Sequence, residues 1–191
     1  MQRNTIRIIG GKWKARKVRF PDARGLRPSA DRTRETLFNW LLPQLPGARC
    51  LDLFAGSGAL GLEALSRGAA GVDFVEHSAR VARALRDNLV TLQERAADQE
   101  PPARVEQSDA FAFLRRARGS IRYDIVLVDP PFADQLVPRV LRELTQDLLA
   151  DGALVYVETA WQTPADWPPA WTVVREKRFG DARATLLALA G

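Results

Sequence analysis

The sequence predicts an α/β fold: a Rossmann-like, mostly parallel sheet with helices on both faces, a C-terminal antiparallel hairpin and a short basic N-terminal extension. Three observations predict it. Short apolar runs alternate with amphipathic segments through the middle of the chain, a glycine-rich turn joins the first such pair, and only Gly180-Asp181 separates the last two strand-like runs. A length of 191 residues fits one domain that buries roughly 70% of the surface its unfolded form exposes.

The elements follow in order. Asp31 to Leu42 reads as a helix, capped by Asp31 or Ser29 and closed by Pro43, with Leu37, Trp40 and Leu41 on one face. Arg49 to Phe54 is a buried strand, followed by the turn Ala55-Gly56-Ser57-Gly58 and a helix from Ala59 to Arg67. Gly71 to Val75 is the second strand and Ala79 to Glu94 a long helix. Ala103 to Gln107 and Tyr123 to Val128 are strands on either side of a helix from Ala110 to Arg118. A helix over 135–148 and a strand over 153–158 complete the alternation. Trp171 to Phe179 and Ala184 to Ala190 form the hairpin, because so short a link around Gly180-Asp181 forces antiparallel pairing.

Charge is localised. Residues 1–28 hold nine Arg and Lys side chains against Asp22 alone, a formal +8, so the rest of a chain of net charge +5 sums to −3. The segment divides the chain into a basic arm over 1–28 and a main domain over 29–191. A basic arm suits a polyanion, while a solvated terminus is the plain alternative. Trp13 and Phe20, interleaved with Arg7, Lys12, Lys14, Arg16, Lys17 and Arg27, favour nucleic acid, since bases stack on aromatic faces. Cys50 cannot form an internal disulfide and reads as a buried strand residue of a reducing compartment. The N-terminus does not read as a signal peptide and no apolar run is long enough to span a bilayer, so the expected setting is the cytoplasm, as a monomer without a membrane partner.

The first strand-to-helix turn, Asp52 to Gly61, contains G-x-G-x-x-G, and Glu76 ends the second strand 20 residues after Gly56. That pattern suits a dinucleotide as well as S-adenosylmethionine. Asp52 favours the latter: a carboxylate at the ligand-facing end of the strand repels a pyrophosphate but can hold an ammonium group. Ala55, Gly56 and Gly58 bring backbone close to the ligand. Asp109 can accept from an adenine amino group while Ala110 meets the ring edge, and Asp109 is equally a helix N-cap.

The strand Tyr123 to Val128 delivers Asp129-Pro130-Pro131-Phe132 to the carboxyl end of the sheet, where open sheets bind ligands. The two prolines make a stiff turn. An exocyclic amine on an aromatic base is a poor nucleophile. Hydrogen bonds to the Asp129 carboxylate and the Pro130 carbonyl can orient it and stabilise developing charge, while Phe132 stacks on the base. The pattern points to methylation of a base amine. A DNA adenine or cytosine amino methyltransferase shares this logic, and an NAD-binding oxidoreductase shares the glycine turn. His77 lacks companions for a metal site, so no metal is expected, and Trp161, Trp167 and Trp171 are expected to pack the terminal hairpin.

Arg7 to Trp13, Leu26-Arg27-Pro28, Asp31 to Leu41, Asp52 to Gly61 and Asp129 to Phe132 together resemble the bacterial 16S rRNA guanine-N2 methyltransferases of the RsmD type, nearly end to end. The resemblance implies the seven-strand class I methyltransferase fold and S-adenosylmethionine as donor. Its implied target is one guanine N2 of 16S rRNA, position 966 in the family's name, within the assembled small ribosomal subunit. It also implies that Asp52, Gly56, Gly58, Glu76 and Asp109 form the donor site and that Asp129, Pro130 and Phe132 act in catalysis.

Overall fold

The computed structural model describes residues 3–22, 31–94 and 102–190. Arg27, Ser29 and the connection over 96–101 lie outside the described residues. The chain opens with an antiparallel pair, β1 (Arg3–Arg7) and β2 (Lys17–Pro21). There follow α1 (Asp31–Leu41), β3 (Arg49–Asp52), α2 (Ala59–Ser66), β4 (Gly71–Glu76), α3 (Ala79–Gln93), β5 (Ala103–Gln107), α4 (Ala110–Ala117) and β6 (Tyr123–Val128). The last elements are α5 (Val137–Glu143), β7 (Leu149–Ala160), β8 (Trp171–Phe179) and β9 (Ala182–Leu189).

Seven strands form one sheet in the order β5-β4-β3-β6-β7-β9-β8. β3 to β7 run parallel, and the hairpin folds back so that β9 pairs antiparallel with both β7 and β8. The order reverses direction between β3 and β6, which opens a crevice above their carboxyl ends. Alternation along the strands divides the core. Cys50, Phe74, Ile125, Leu127 and Tyr156 face the layer of α1, α2 and α3. Leu51, Val75, Val126, Val128 and Val155 face α4 and α5. The expected parallel sheet, its helical layers and its terminal hairpin are therefore present.

Three expectations shift. In α1 the buried apolar positions are Leu37, Phe38 and Leu41, and Trp40 is only half-buried. The helix expected over 135–148 is confined to Val137–Glu143, because Leu144 and Leu148 reach the core from a turn that leads directly into a longer β7. The N-terminal segment is not a bare arm. Ile6, Ile8, Trp13, Val18 and Phe20 are all under 9% exposed and join the core, because the largely apolar helix α2 is buried on every side and needs a second cover beyond the sheet.

Polar groups lock that cover in place. Glu63 of α2, fully buried, accepts hydrogen bonds from the Ile9 N–H at 2.9 Å and from Arg67 Nε at 2.7 Å. Ser66 donates to the Gly10 carbonyl and accepts from the Trp13 N–H. On the other side, Asn88 of α3 pairs with both backbone groups of Arg19, taking the place of a further strand beside β2. The N-terminal pair is thus bolted to the two helices that flank the glycine turn. No helix among the described residues is long and apolar enough to cross a membrane.

Candidate active site

The glycine turn supplies the floor of the crevice. Gly56 and Gly58 have φ of 51° and 78°, left-handed values that favour glycine. Gly58 caps α2, and a Cβ there would lie 2.4 Å from a Leu85 methyl group. The Gly58 N–H donates to the Ala55 carbonyl at 2.7 Å, and the Ala55 N–H donates to Val75 at 2.9 Å, so the turn is fixed to β4.

Two carboxylates brace the same turn. Asp52, 2% exposed, accepts from the Gly61 N–H at 2.9 Å. Burial raises its pKa to about 7, against the lowering effect of the Gly61 hydrogen bond and with a further rise from the charge of Glu76. Glu76 accepts from the Gly56 N–H at 3.0 Å and from the Ser78 N–H at 2.7 Å. Asp109 is the N-cap of α4, its side chain accepting from the Ala112 N–H at 2.9 Å. It is exposed at the edge of the crevice, and Ala110 behind it opens the helix, where the first N–H groups have no acceptor within the helix. Each carboxylate has about four lone-pair positions, so a backbone partner does not preclude a ligand. Burial likewise pushes the Cys50 thiol up to about 12, with smaller contributions from Asp124 and Asp52, which makes it inert.

Strand pairing aligns Asp129 with this set. Asp52 pairs with Phe74 on one side and Leu127 on the other, which puts Glu76 and Asp129, two residues farther on, at one level above the ends of β4 and β6. Pro130 is buried, while Pro131 and Phe132 are exposed, Phe132 at 40%. Phe132 starts a 3-10 turn through Asp134. The structure therefore brings the Asp129-to-Phe132 turn and the glycine turn to the same end of the sheet.

The residues expected to contact nucleic acid divide. Arg7, Lys12, Lys14 and Lys17 are exposed. Arg16 is half-buried and donates to the Leu92 carbonyl at 2.9 Å, so part of its function is to hold the N-terminal pair on α3. Trp13 is 1% exposed, and base stacking by its ring is ruled out as long as this packing holds; the ring is core because it fills the space beside α2. Lys12 lies over that ring at 4.9 Å. Trp171 packs as expected, its indole N–H donating to Leu141 at 3.2 Å. A shallow cleft lined by Gly11, Lys12, Ser66, Arg67 and Gly68 lies at the far end of α2 from the glycine turn. Among the described residues, no group of three or more His, Cys, Asp or Glu side chains is arranged to hold a metal ion.

Sequence reasoning missed Glu63, Tyr156 and Glu158. A charged residue amid the apolar Leu60-to-Leu65 stretch was the available signal for the first. For the others it was a Tyr-x-Glu spacing that places both side chains on one face of β7.

Comparison with known proteins decides the family. A family model described as Conserved hypothetical protein 95 matches residues 6–188. The Ribosomal RNA small subunit methyltransferase D of Escherichia coli K12 is 49% identical over 177 residues, covering 92% of this chain and 85% of the relative. The chain belongs to this methyltransferase D family. Its counterpart in Haemophilus influenzae is 42% identical over 176 residues, covering 92% of this chain and 89% of that one. The solved Escherichia coli protein yhhF superposes with a TM-score of 0.82 at 46% identity, covering 96% of this chain and 97% of that chain.

Membership in the methyltransferase D family makes the protein an S-adenosylmethionine-dependent methyltransferase of class I fold and removes the oxidoreductase alternative. The residues fit that donor. Its sulfonium and ammonium groups are cationic, and the crevice is edged by Asp52, Glu76 and Asp109, an arrangement hostile to a pyrophosphate.

Proposed function

We propose that the protein methylates the exocyclic N2 of a guanine in small-subunit ribosomal RNA, as a cytoplasmic monomer acting on position 966 within the assembled subunit. The observation that carries this reading is the Asp129-to-Phe132 turn above β6, directly beside the glycine turn above β3. The relatives' names supply the polymer.

The donor supplies an electrophilic methyl group on sulfur. Asp52, Glu76, Asp109 and the backbone around Gly56, Gly58 and Ala110 hold it. The chain must then make a poor nucleophile reactive. The guanine N2 lone pair is delocalised into the ring, and the Asp129 carboxylate and Pro130 carbonyl each accept one of its two N–H groups. Those bonds aim the nitrogen in line with the methyl carbon and offset the positive charge that grows on it. When bound, the donor would take back the C–S pair as the N–C bond forms, and the surplus proton would leave the nitrogen toward Asp129 or water.

The target base must leave its stack, which costs a few kcal/mol, and stacking on Phe132 returns about 1–3 kcal/mol. The exposed cations Arg7, Lys14 and Lys17 on the N-terminal pair, with Lys12 beside them, contact rRNA phosphates and set orientation without reading sequence. Arg27 joins them in this reading.

The test is nucleoside mass spectrometry after incubation with labelled donor and either naked small-subunit rRNA, unmodified small subunits or DNA. N2-methylguanosine from the subunits is the expected product. N6-methyladenosine, or a methylated DNA base in its place, refutes the reading.

A further inference from the structure

One acidic side chain beside the reacting position has no part in the chemistry above. Glu158 lies near the end of β7, is 7% exposed, and its Oε2 accepts from the Tyr156 hydroxyl at 2.9 Å. Parallel pairing of Leu127 with Tyr156 and Val128 with Val157 brings the next residue of each segment, Asp129 and Glu158, to the same end of the sheet. Paired strands lie roughly 5 Å apart, so the backbones of these two residues stand about one strand spacing from each other. Both belong to the face that carries Leu127 and Tyr156, the same face as Asp52.

Tyr156 is fully buried beneath them. Its hydroxyl is held well above the usual phenol range, first by burial and then by the negative charges of Glu158 and Asp129. It therefore remains a donor, and it orients Glu158 toward the sheet edge. A carboxylate has about four lone-pair positions, so the bond from Tyr156 leaves Glu158 able to accept from a ligand in the crevice as well.

Guanine brings suitable donors. Its Watson–Crick edge presents the ring N1–H and the N2 amine side by side. Adenine and cytosine present an unprotonated ring nitrogen beside their amine, and uracil has no amine. We infer that Glu158 accepts the N1–H of the target guanine while Asp129 accepts from its N2, so that the pair selects guanine. Glu158 is then a specificity residue, Tyr156 is the positioning residue behind it, and the inference rests on the guanine-N2 reading above.

The test replaces the target guanine in reconstituted, unmodified small subunits with 2-aminopurine. This base keeps the N2 amine but turns a lone pair toward Glu158 in place of the N1–H. The wild-type protein should favour guanine by roughly 10- to 100-fold in kcat/KM, the range of one well-placed base contact. Glu158→Gln supplies an N–H that suits 2-aminopurine, so guanine methylation should fall while the preference narrows or inverts. Affinity for S-adenosylmethionine, followed by calorimetry, should not change.

Wild-type protein that methylates both bases equally, with the N2-methylguanosine product intact, overturns the role of Glu158 alone and requires no variant. An unchanged preference in Glu158→Gln overturns it as well. Absence of any N2-methylguanosine from wild-type protein overturns the parent reading and this one together.

Discussion

Asp52, at the end of β3, accepts a hydrogen bond from the Gly61 N–H at 2.9 Å, and so joins the last residue of the strand to the first turn of the next helix across the glycine turn. The same carboxyl is buried and its pKa is raised to about 7. Structure and ligand chemistry thus meet on one group.

A pH dependence follows from Asp52. Its pKa rises from an unfolded value near 3.8 to about 7, so between those values the folded state binds more protons than the unfolded one. Stability from this group is therefore greatest at low pH and declines as pH climbs toward 7, by at most about 4 kcal/mol at 1.36 kcal/mol per unit. Donor affinity should move the opposite way, rising with pH because an ammonium group favours the ionised carboxylate. Asp52→Asn should flatten both profiles and weaken donor binding. Chemical denaturation and calorimetry at pH 5, 6, 7 and 8 check both signs.

Asp129→Ala should reduce kcat by roughly 10²–10³, the usual loss when one preorganised charge-stabilising group is removed. Donor affinity should stay within about twofold, because the glycine turn is left intact. Single-turnover methylation combined with calorimetry measures both; wild-type rates in this variant would refute the proposed chemistry.

The two aromatics at Phe132 and Trp13 should respond in opposite ways. Phe132 is 40% exposed, so Phe132→Ala should cost little stability and lower kcat/KM by about 5- to 150-fold, the equivalent of 1–3 kcal/mol of stacking. Trp13 is 1% exposed in the core, so Trp13→Ala should destabilise the fold by about 3–5 kcal/mol. Thermal denaturation beside steady-state kinetics separates the two.

Lys14 and Lys17 are exposed on the N-terminal pair. Changing both to Ala should weaken binding to small-subunit rRNA uniformly across sequences. It should also reduce the slope of log affinity against log salt by about 1.4 to 1.8. An unchanged slope in filter binding from 50 to 200 mM salt counts against phosphate contacts at these positions.

Glu63 accepts from Ile9 and Arg67 with no exposure to solvent. Glu63→Ala strands the Arg67 and Arg34 charges near it and should cost about 3–5 kcal/mol. It should also raise amide hydrogen exchange over residues 5–20 more than over β3 to β7. Equal exchange in both regions would mean that the N-terminal pair is held by apolar packing alone.

Much of the molecule is determined locally. The alternation of Arg49–Asp52, Gly71–Glu76 and Tyr123–Val128 with amphipathic helices dictates a parallel sheet, because such runs can be buried only between two helical layers. Gly180-Asp181 dictates the terminal hairpin. Asp52, Glu76, Asp109 and Asp129 stand at strand ends, so the sequence alone puts them at one edge of the sheet.

Only tertiary structure decided what lies across that edge and beneath it. Nothing local distinguishes Trp13 as a stacking residue from Trp13 as core. The outcome depends on α2, whose Ala59–Ser66 face away from the sheet would otherwise meet water. Likewise, Tyr156 and Glu158 read as ordinary residues of a buried strand until the register of β7 against β6 brings Glu158 to the same end of the sheet as Asp129. Periodicity fixes which way a side chain points from its own strand. Which neighbour it meets depends on pairing between segments distant in the chain, and that is settled only when the whole core packs.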